Sequence, residues 1–182
     1  MLVLTPESKA ADIDLVLAAR NGDRAAFGGL YDRYRKTIHG ILLAHVPHAD
    51  AEDLLHDVFV RAMRLLPNLR DPAAFGSWLA AMARNLAVDH HRRSRRTIEA
   101  DDRNCDVGHS NTSDHAEAER AMRTLRLLPP AYRETLILRL VEGMTGPEIA
   151  ARTGLTPESV RVNLCRGMKL LRAQLQGETK HE

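Results

Sequence analysis

Residues 145–175, "TGPEIAARTGLTPESVRVNLCRGMKLLRAQL", decide the architecture of the chain's second half. Thr145 followed by Glu148 has the spacing of a capping box, in which hydroxyl and carboxylate reciprocally satisfy backbone amides at a helix start. Gly154 is placed to end that short helix, because glycine enters the left-handed conformation at low steric cost. Thr156 then caps the next helix, and Pro157 takes its first position, where no amide hydrogen is needed. A short helix, a tight turn and a long basic helix form the order of a helix-turn-helix. On the long helix Val160, Leu164, Met168 and Leu171 recur at helical spacing and are predicted to face the core. The outward stripe is then Glu158, Arg161, Val162, Cys165, Arg166 and Lys169. Arginines so spaced reach phosphates and guanine edges in a major groove, each bidentate arginine–guanine pair discriminating by about 1–3 kcal/mol.

Upstream, helical periodicity continues and no period-two run of useful length occurs, so the chain is expected to be all-α. A short helix is expected over Asp14–Arg20 and a second over Arg24–His45, the latter with Phe27, Leu30, Tyr31, Tyr34, Ile38, Ile41 and Leu42 on one stripe. A third helix runs from about Ala49 to Leu66, stopped by Pro67, and a fourth from Phe75 to about Arg96 after the loop "PNLRDPAAF". Six of the seven aromatic residues precede position 80, which predicts that the two halves are built around different cores. Between them "TIEADDRNCDVGHSNTSDHAEAE" is polar, acidic and aperiodic, the composition of a flexible linker. The expected organisation is two small helical domains, 10–96 and 120–176, joined by a linker at 97–119.

With 182 residues and 44% apolar content the chain is long enough for packed cores. No window approaches a membrane span, and "MLVLTPESK" lacks the basic-then-apolar order of a secretory signal, so a cytoplasmic location without membrane insertion is expected. Cys105 and Cys165 form no CxxC pair and read as free thiols. Cys105, His109 and His115 lack a fourth ligand at a usual spacing, so neither a metal nor any other cofactor is expected. The net charge of +2 hides an uneven distribution. Residues 84–96 hold five arginines against Asp89, 152–172 hold Arg152, Arg161, Arg166, Lys169 and Arg172 against Glu158, and 99–119 hold seven acids and one arginine. Two basic islands around an acidic spacer point to two contacts on one polyanion.

Two further faces carry chemistry. In "DAEDLLHDVFVRAMRLL" (50–66) an apolar stripe leaves Asp53, His56 and Asp57 projecting together, suited to a metal or a basic partner helix. In "SWLAAMARNLAVDHHRR" (77–93) Phe75, Leu79, Met82 and Leu86 form the core stripe, and Asn85, Asp89, Arg92 and Arg96 a polar flank beside Trp78. Arginines and amides next to an aromatic ring suit a partly unpaired strand, with phosphates neutralised and a splayed base stacked. Asp89-His90-His91 also has the look of a metal-dependent phosphoesterase signature, but such sites need ligands converging from several strand ends, and no strand is expected before Asp89.

These three blocks, in this order and at these distances with "LPPAYRETLILRLVEGMTGPEIAARTGLTPESVRVNLCRGMKLLR" (128–172), resemble the extracytoplasmic-function sigma factors of the bacterial sigma-70 family. The resemblance covers nearly the whole chain outside the linker. It implies a non-enzymatic initiation factor whose partners are core RNA polymerase, through its clamp helices and flap, promoter DNA and an anti-sigma factor. It implies that Asp53, His56 and Asp57 meet the clamp helices, His56 standing where glutamine is usual. It implies that Asn68, Leu69, Arg70 and Asp71 belong to the loop that captures a flipped minus-ten base, and that Arg84, Asn85, Asp89, Arg92 and Arg93 lie along the minus-ten region. It places Arg161, Val162, Cys165 and Arg166 at the minus-thirty-five element, with Val162 and Asn163 replacing the usual serine and arginine. The chain is then nucleoid-associated when in holoenzyme. A helix-turn-helix repressor that does not bind polymerase is the alternative, and it leaves the Asp53-His56-Asp57 face unexplained.

Overall fold

The apolar stripe that begins at Phe27 becomes the central helix of the first half. In the computed structural model, which describes residues 6–100 and 121–178 with side chains over 11–93 and 121–175, α2 spans Arg24–Leu43. Its start is fixed by Asp23, whose carboxylate accepts from the Ala25 and Ala26 amides at 2.8 and 3.1 Å. Around α2 pack α1 (Pro6–Arg20), α3 (His48–Leu65) and α4 (Phe75–Ala100). Tyr31 meets Phe59 of α3 edge-on at 4.7 Å, and Tyr34 meets Phe75 of α4 at 5.2 Å. Both are T-shaped pairs that set a quadrupole's positive edge on a negative face. Asp12 of α1 accepts from Arg33 and from the Tyr34 hydroxyl, the latter at 2.8 Å. Burial, reinforced by that carboxylate, pushes the Tyr34 phenol far above its ordinary pKa.

Helix boundaries depart from the periodicity at three places. α1 begins near Pro6 rather than at Asp14, α4 continues to Ala100, and α3 gives way at Leu66 to a 3-10 turn, Leu66–Asn68. A second 3-10 turn, Pro72–Ala74, is capped by Asp71, which accepts from the Ala73 amide at 2.9 Å.

In the second half α5 (121–127) precedes α6 (Pro130–Leu140), α7 (Gly146–Thr153) and α8 (Pro157–Glu178). The Thr145–Glu148 capping box forms, and Gly154 adopts φ +78° at the end of α7. Thr156 accepts from the Ser159 amide at 3.2 Å, capping α8. α8 crosses α6 at Gly167, where a Cβ would lie 3.0 Å from Leu136. No strand occurs among the described residues, and no helix there is long and apolar enough to cross a membrane.

The expectation of two separate cores is corrected. Buried side chains of both halves form one continuous cluster, from Val16 through Phe75 to Leu171. The reason lies in α6, where the five consecutive residues Glu134, Thr135, Leu136, Ile137 and Leu138 are all buried. A helix covered on every side is a central one; α6 packs on α8 through Leu136 and on α2 through Leu138, which sits against Gly40.

Candidate nucleic-acid interface

α8 turns Val160 and Leu171 inward, with Leu164 and Met168 partly buried beside them. Helical geometry then sends Glu158, Arg161, Val162, Cys165, Arg166 and Lys169 outward, and all six are exposed. Asn163, between these faces, donates to Thr135 of α6 at 3.3 Å, so it ties α8 to α6. The α7 to α8 turn is shaped locally: Gly154 stands in the left-handed region, and the Thr153 hydroxyl accepts from the Leu155 amide at 3.4 Å.

On α4, Asn85, His91, Arg92 and Arg93 are exposed, and Asp89 is half-exposed, 3.7 Å from Arg92. Trp78 is partly buried against Phe75, at 5.8 Å and a tilted angle, and lies on the same flank as Asn85. Trp78, Asn85, Arg61, Leu65, Ala81 and Met82 line a cleft of about 180 Å³. A flat ring, an amide and a guanidinium around a small cleft form a surface on which a base can stack and be hydrogen-bonded. The Arg96 side chain lies outside the described residues, as do Cys105, His109 and His115.

In the loop between α3 and α4, Asn68, Arg70 and Asp71 are exposed, whereas Leu69 is buried in the core of the first half. Leu69 is therefore corrected from a base-contacting candidate to an anchor: its side chain pins the loop, while its neighbours face solvent. Asp53, His56 and Asp57 are all exposed along one side of α3. Among the described residues no three His, Cys, Asp or Glu side chains converge to hold a metal. Asp89, His90 and His91 are consecutive on α4, so they fan out by about 100° each and cannot converge on one ion.

Arg84 is the exception on the α4 flank. Its guanidinium is paired with Glu134 of α6, Nη2 to Oε1 at 2.6 Å and Nε to Oε2 at 2.9 Å. Donating to the Glu134 carboxylate raises the Arg84 pKa against its own partial burial. Burial acts to raise the Glu134 pKa, but Arg84, with the His45 ring nitrogen 3.8 Å away, holds it below its ordinary value. Sequence reading missed this pair; its one signal is a glutamate set between Arg133 and Thr135, just ahead of the apolar run Leu136, Ile137 and Leu138.

The chain matches the family models Sigma-70 region 2 over residues 30–97 and Sigma-70, region 4 over residues 118–171. It is 31% identical to RNA polymerase sigma-H factor of Pseudomonas aeruginosa, over 91% of this chain and 94% of that protein. It is also 31% identical to RNA polymerase sigma factor CarQ of Myxococcus xanthus, over 90% and 96%. A solved structure of CnrH in complex with the cytosolic domain of CnrY superposes with a TM-score of 0.64 at 28% identity, covering 92% of this chain and 98% of that one.

Proposed function

Because the chain belongs to the extracytoplasmic-function sigma factors of the sigma-70 family, we propose that α3 docks it on core RNA polymerase, α4 engages the minus-ten element and α8 reads the minus-thirty-five element. It is a transcription initiation factor that directs polymerase to specific promoters, and it makes or breaks no bond itself. One observation carries the division of labour: α3 exposes Asp53, His56 and Asp57, whereas α8 exposes Arg161, Arg166 and Lys169. An acidic face has no use on a polyanion and suits a basic protein surface, while a basic helix behind a capped turn suits a major groove. In holoenzyme the chain is then nucleoid-associated.

Between these modules Asn68, Arg70 and Asp71 border the path of the minus-ten strand, and Trp78, Asn85, Asp89, Arg92, Arg93 and Arg96 continue it. An anti-sigma factor is the third partner. The apolar cleft of about 700 Å³ lined by Leu43, Met122, Leu125, Leu140, Val141 and Leu175 is the surface we assign to it, since these side chains can bury the apolar face of a helix.

Purified chain added to core polymerase should give promoter-dependent transcripts. Specific DNA binding without transcripts would leave a helix-turn-helix repressor instead.

A further inference from the structure

The seam where α2 and α3 meet α5, α6 and α8 is tight at one place and open at another. At Gly40 the backbone of α2 comes so near α6 that a Cβ would lie 2.7 Å from Leu138. Beside it, at His39 and Leu43, the helices part around the cleft of about 700 Å³. That volume falls within the roughly 300–1,000 Å³ of pockets that enclose small molecules. The floor of the cleft is buried: Leu43 of α2, Leu125 of α5 and Leu171 of α8 each keep less than a tenth of their surface. Its rim is not, since Leu140, Val141 and Leu175 are about half exposed. Apolar side chains grouped around an open cavity gain by burial against an apolar ligand. Met122 stands among them, an unbranched side chain that adapts to the shape it meets.

Among the described residues the lining holds no carboxylate, and its polar side chains, His39, His48 and Arg126, are all bases. The two imidazoles meet edge-on at 5.9 Å. Glu142, outside the lining, shares a 2.7 Å hydrogen bond with His39 Nδ1, whereas His39 Nε2 is buried with no hydrogen-bond partner among the described residues. Arg126 has a second guanidinium near it. Arg133 donates to the Leu128 carbonyl at 3.2 and 2.9 Å and to the Ala44 carbonyl at 2.9 Å, acceptors that bring no net charge. Burial, and after it the neighbouring Arg126 charge, hold the Arg133 pKa below its ordinary value. The two guanidiniums repel one another at the edge of an apolar cavity, and an anion held by Arg126 would relieve that repulsion.

We propose that this cleft binds a small amphipathic anion of the long-chain carboxylate class, with its alkyl chain laid over Leu43, Leu125 and Leu171 and its carboxylate at Arg126. Apolar burial supplies the affinity, and the charge-assisted hydrogen bond to Arg126 supplies the preference for a negative head over a neutral one. The inference goes beyond the assignment of the same cleft to an anti-sigma factor: the two occupants exclude one another, and neither assignment depends on the other.

The test is calorimetric titration of the full-length chain with decanoate, dodecanoate and decanol, each kept monomeric. Decanoate should saturate at one molecule per chain. Dodecanoate should bind about tenfold tighter, because it buries two more methylenes, and decanol about tenfold weaker, because it forfeits the charged contact. Arg126→Gln should bring decanoate down to the level of decanol and leave decanol unchanged. Leu140→Gln, at a half-exposed position that the fold tolerates, should weaken all three by one common factor of about five. Circular dichroism reports whether each variant is folded, and if Arg126→Gln is not, Leu140→Gln and the decanoate-to-decanol ratio carry the test. Absence of saturable binding, equal affinity for decanoate and decanol, or folded variants that bind as wild type would each overturn the proposal. Capture of the chain on phosphatidylglycerol vesicles without binding of monomeric decanoate would make the surface a membrane contact and overturn it as well. The chain is titrated alone, so failure here leaves the anti-sigma assignment standing, and an anti-sigma factor that docks elsewhere leaves the carboxylate site standing.

Discussion

Both carboxylate oxygens of Glu134 rest on the guanidinium of Arg84, at 2.6 and 2.9 Å, joining two helices that the sequence places fifty residues apart. The pair is unevenly exposed: the Arg84 side chain keeps about a third of its surface and that of Glu134 about a tenth. Removing one member therefore has consequences that depend on which member is removed. Arg84→Ala leaves a buried carboxylate and should destabilise the chain by about 3 kcal/mol or more. Glu134→Ala leaves a guanidinium that can turn to water and should cost clearly less. Chemical denaturation of the two variants side by side reads the difference; equal losses would show that the pair is not desolvated as the structure has it.

The same pair sets a pH dependence. The Glu134 pKa is held below its ordinary value of 4.5, so the stabilisation is present above about pH 4.5 and is lost as pH falls through the depressed value. Glu148, lowered by its bonds to Thr145, acts in the same direction. In Arg84→Ala the burial of Glu134 is left unopposed, its pKa should rise, and loss of stability should begin at higher pH than in wild type. Denaturation midpoints between about pH 7 and 3 check this, with Glu148→Gln separating the capping contribution.

Local signals were legible and the seam was not, for a physical reason. Thr145, Glu148, Gly154, Thr156 and Pro157 act on amides a few residues away, so their spacing alone identifies α7 and α8. The exposed stripe of α8 follows from the apolar one by helical geometry. Gly40, Gly76 and Glu134 act on residues far along the chain. Inside a helical pattern the glycines read as weak helix formers and the glutamate as a solvated charge. The aromatic imbalance suggested separate cores because it counts large rings, whereas the junction is made where Leu138 of α6 closes on Gly40 of α2. Leu69 sat in a loop whose neighbours are polar, and only packing shows that it turns inward.

The capping box offers a narrower test. Thr145→Ala removes the acceptor for the Glu148 amide and the hydroxyl that donates to the Glu148 carboxylate at 2.7 Å. The expected loss is about 1 kcal/mol. Thermal unfolding should shift down modestly, and binding to a minus-thirty-five duplex should weaken by no more than a few-fold, since in the proposed reading α8 carries the contacts and α7 only aims it.

Asp53 and Asp57 are exposed and bear no part of the core, so Asp53→Ala combined with Asp57→Ala should leave unfolding within about 0.5 kcal/mol of wild type. Affinity for core polymerase should fall at least tenfold, and transcript yield with it at limiting chain concentration. Equilibrium binding to fluorescently labelled core polymerase measures this directly. Unaltered binding would move the docking surface away from α3.

Arg166 is exposed on the outward face of α8, one turn beyond Val162 and clear of the seam. If it neutralises a phosphate, Arg166→Ala should weaken DNA binding about equally for all sequences and reduce the slope of log affinity against log salt by about 1. If it instead reads a guanine edge, the loss should be about 1–3 kcal/mol on the selected sequence and smaller on others, with relaxed preference at one base pair. Titrations of a promoter duplex and a scrambled duplex at several salt concentrations separate these outcomes. A variant that matches wild type in affinity, slope and preference would remove Arg166 from the interface and shift the reading face toward Arg161 and Lys169.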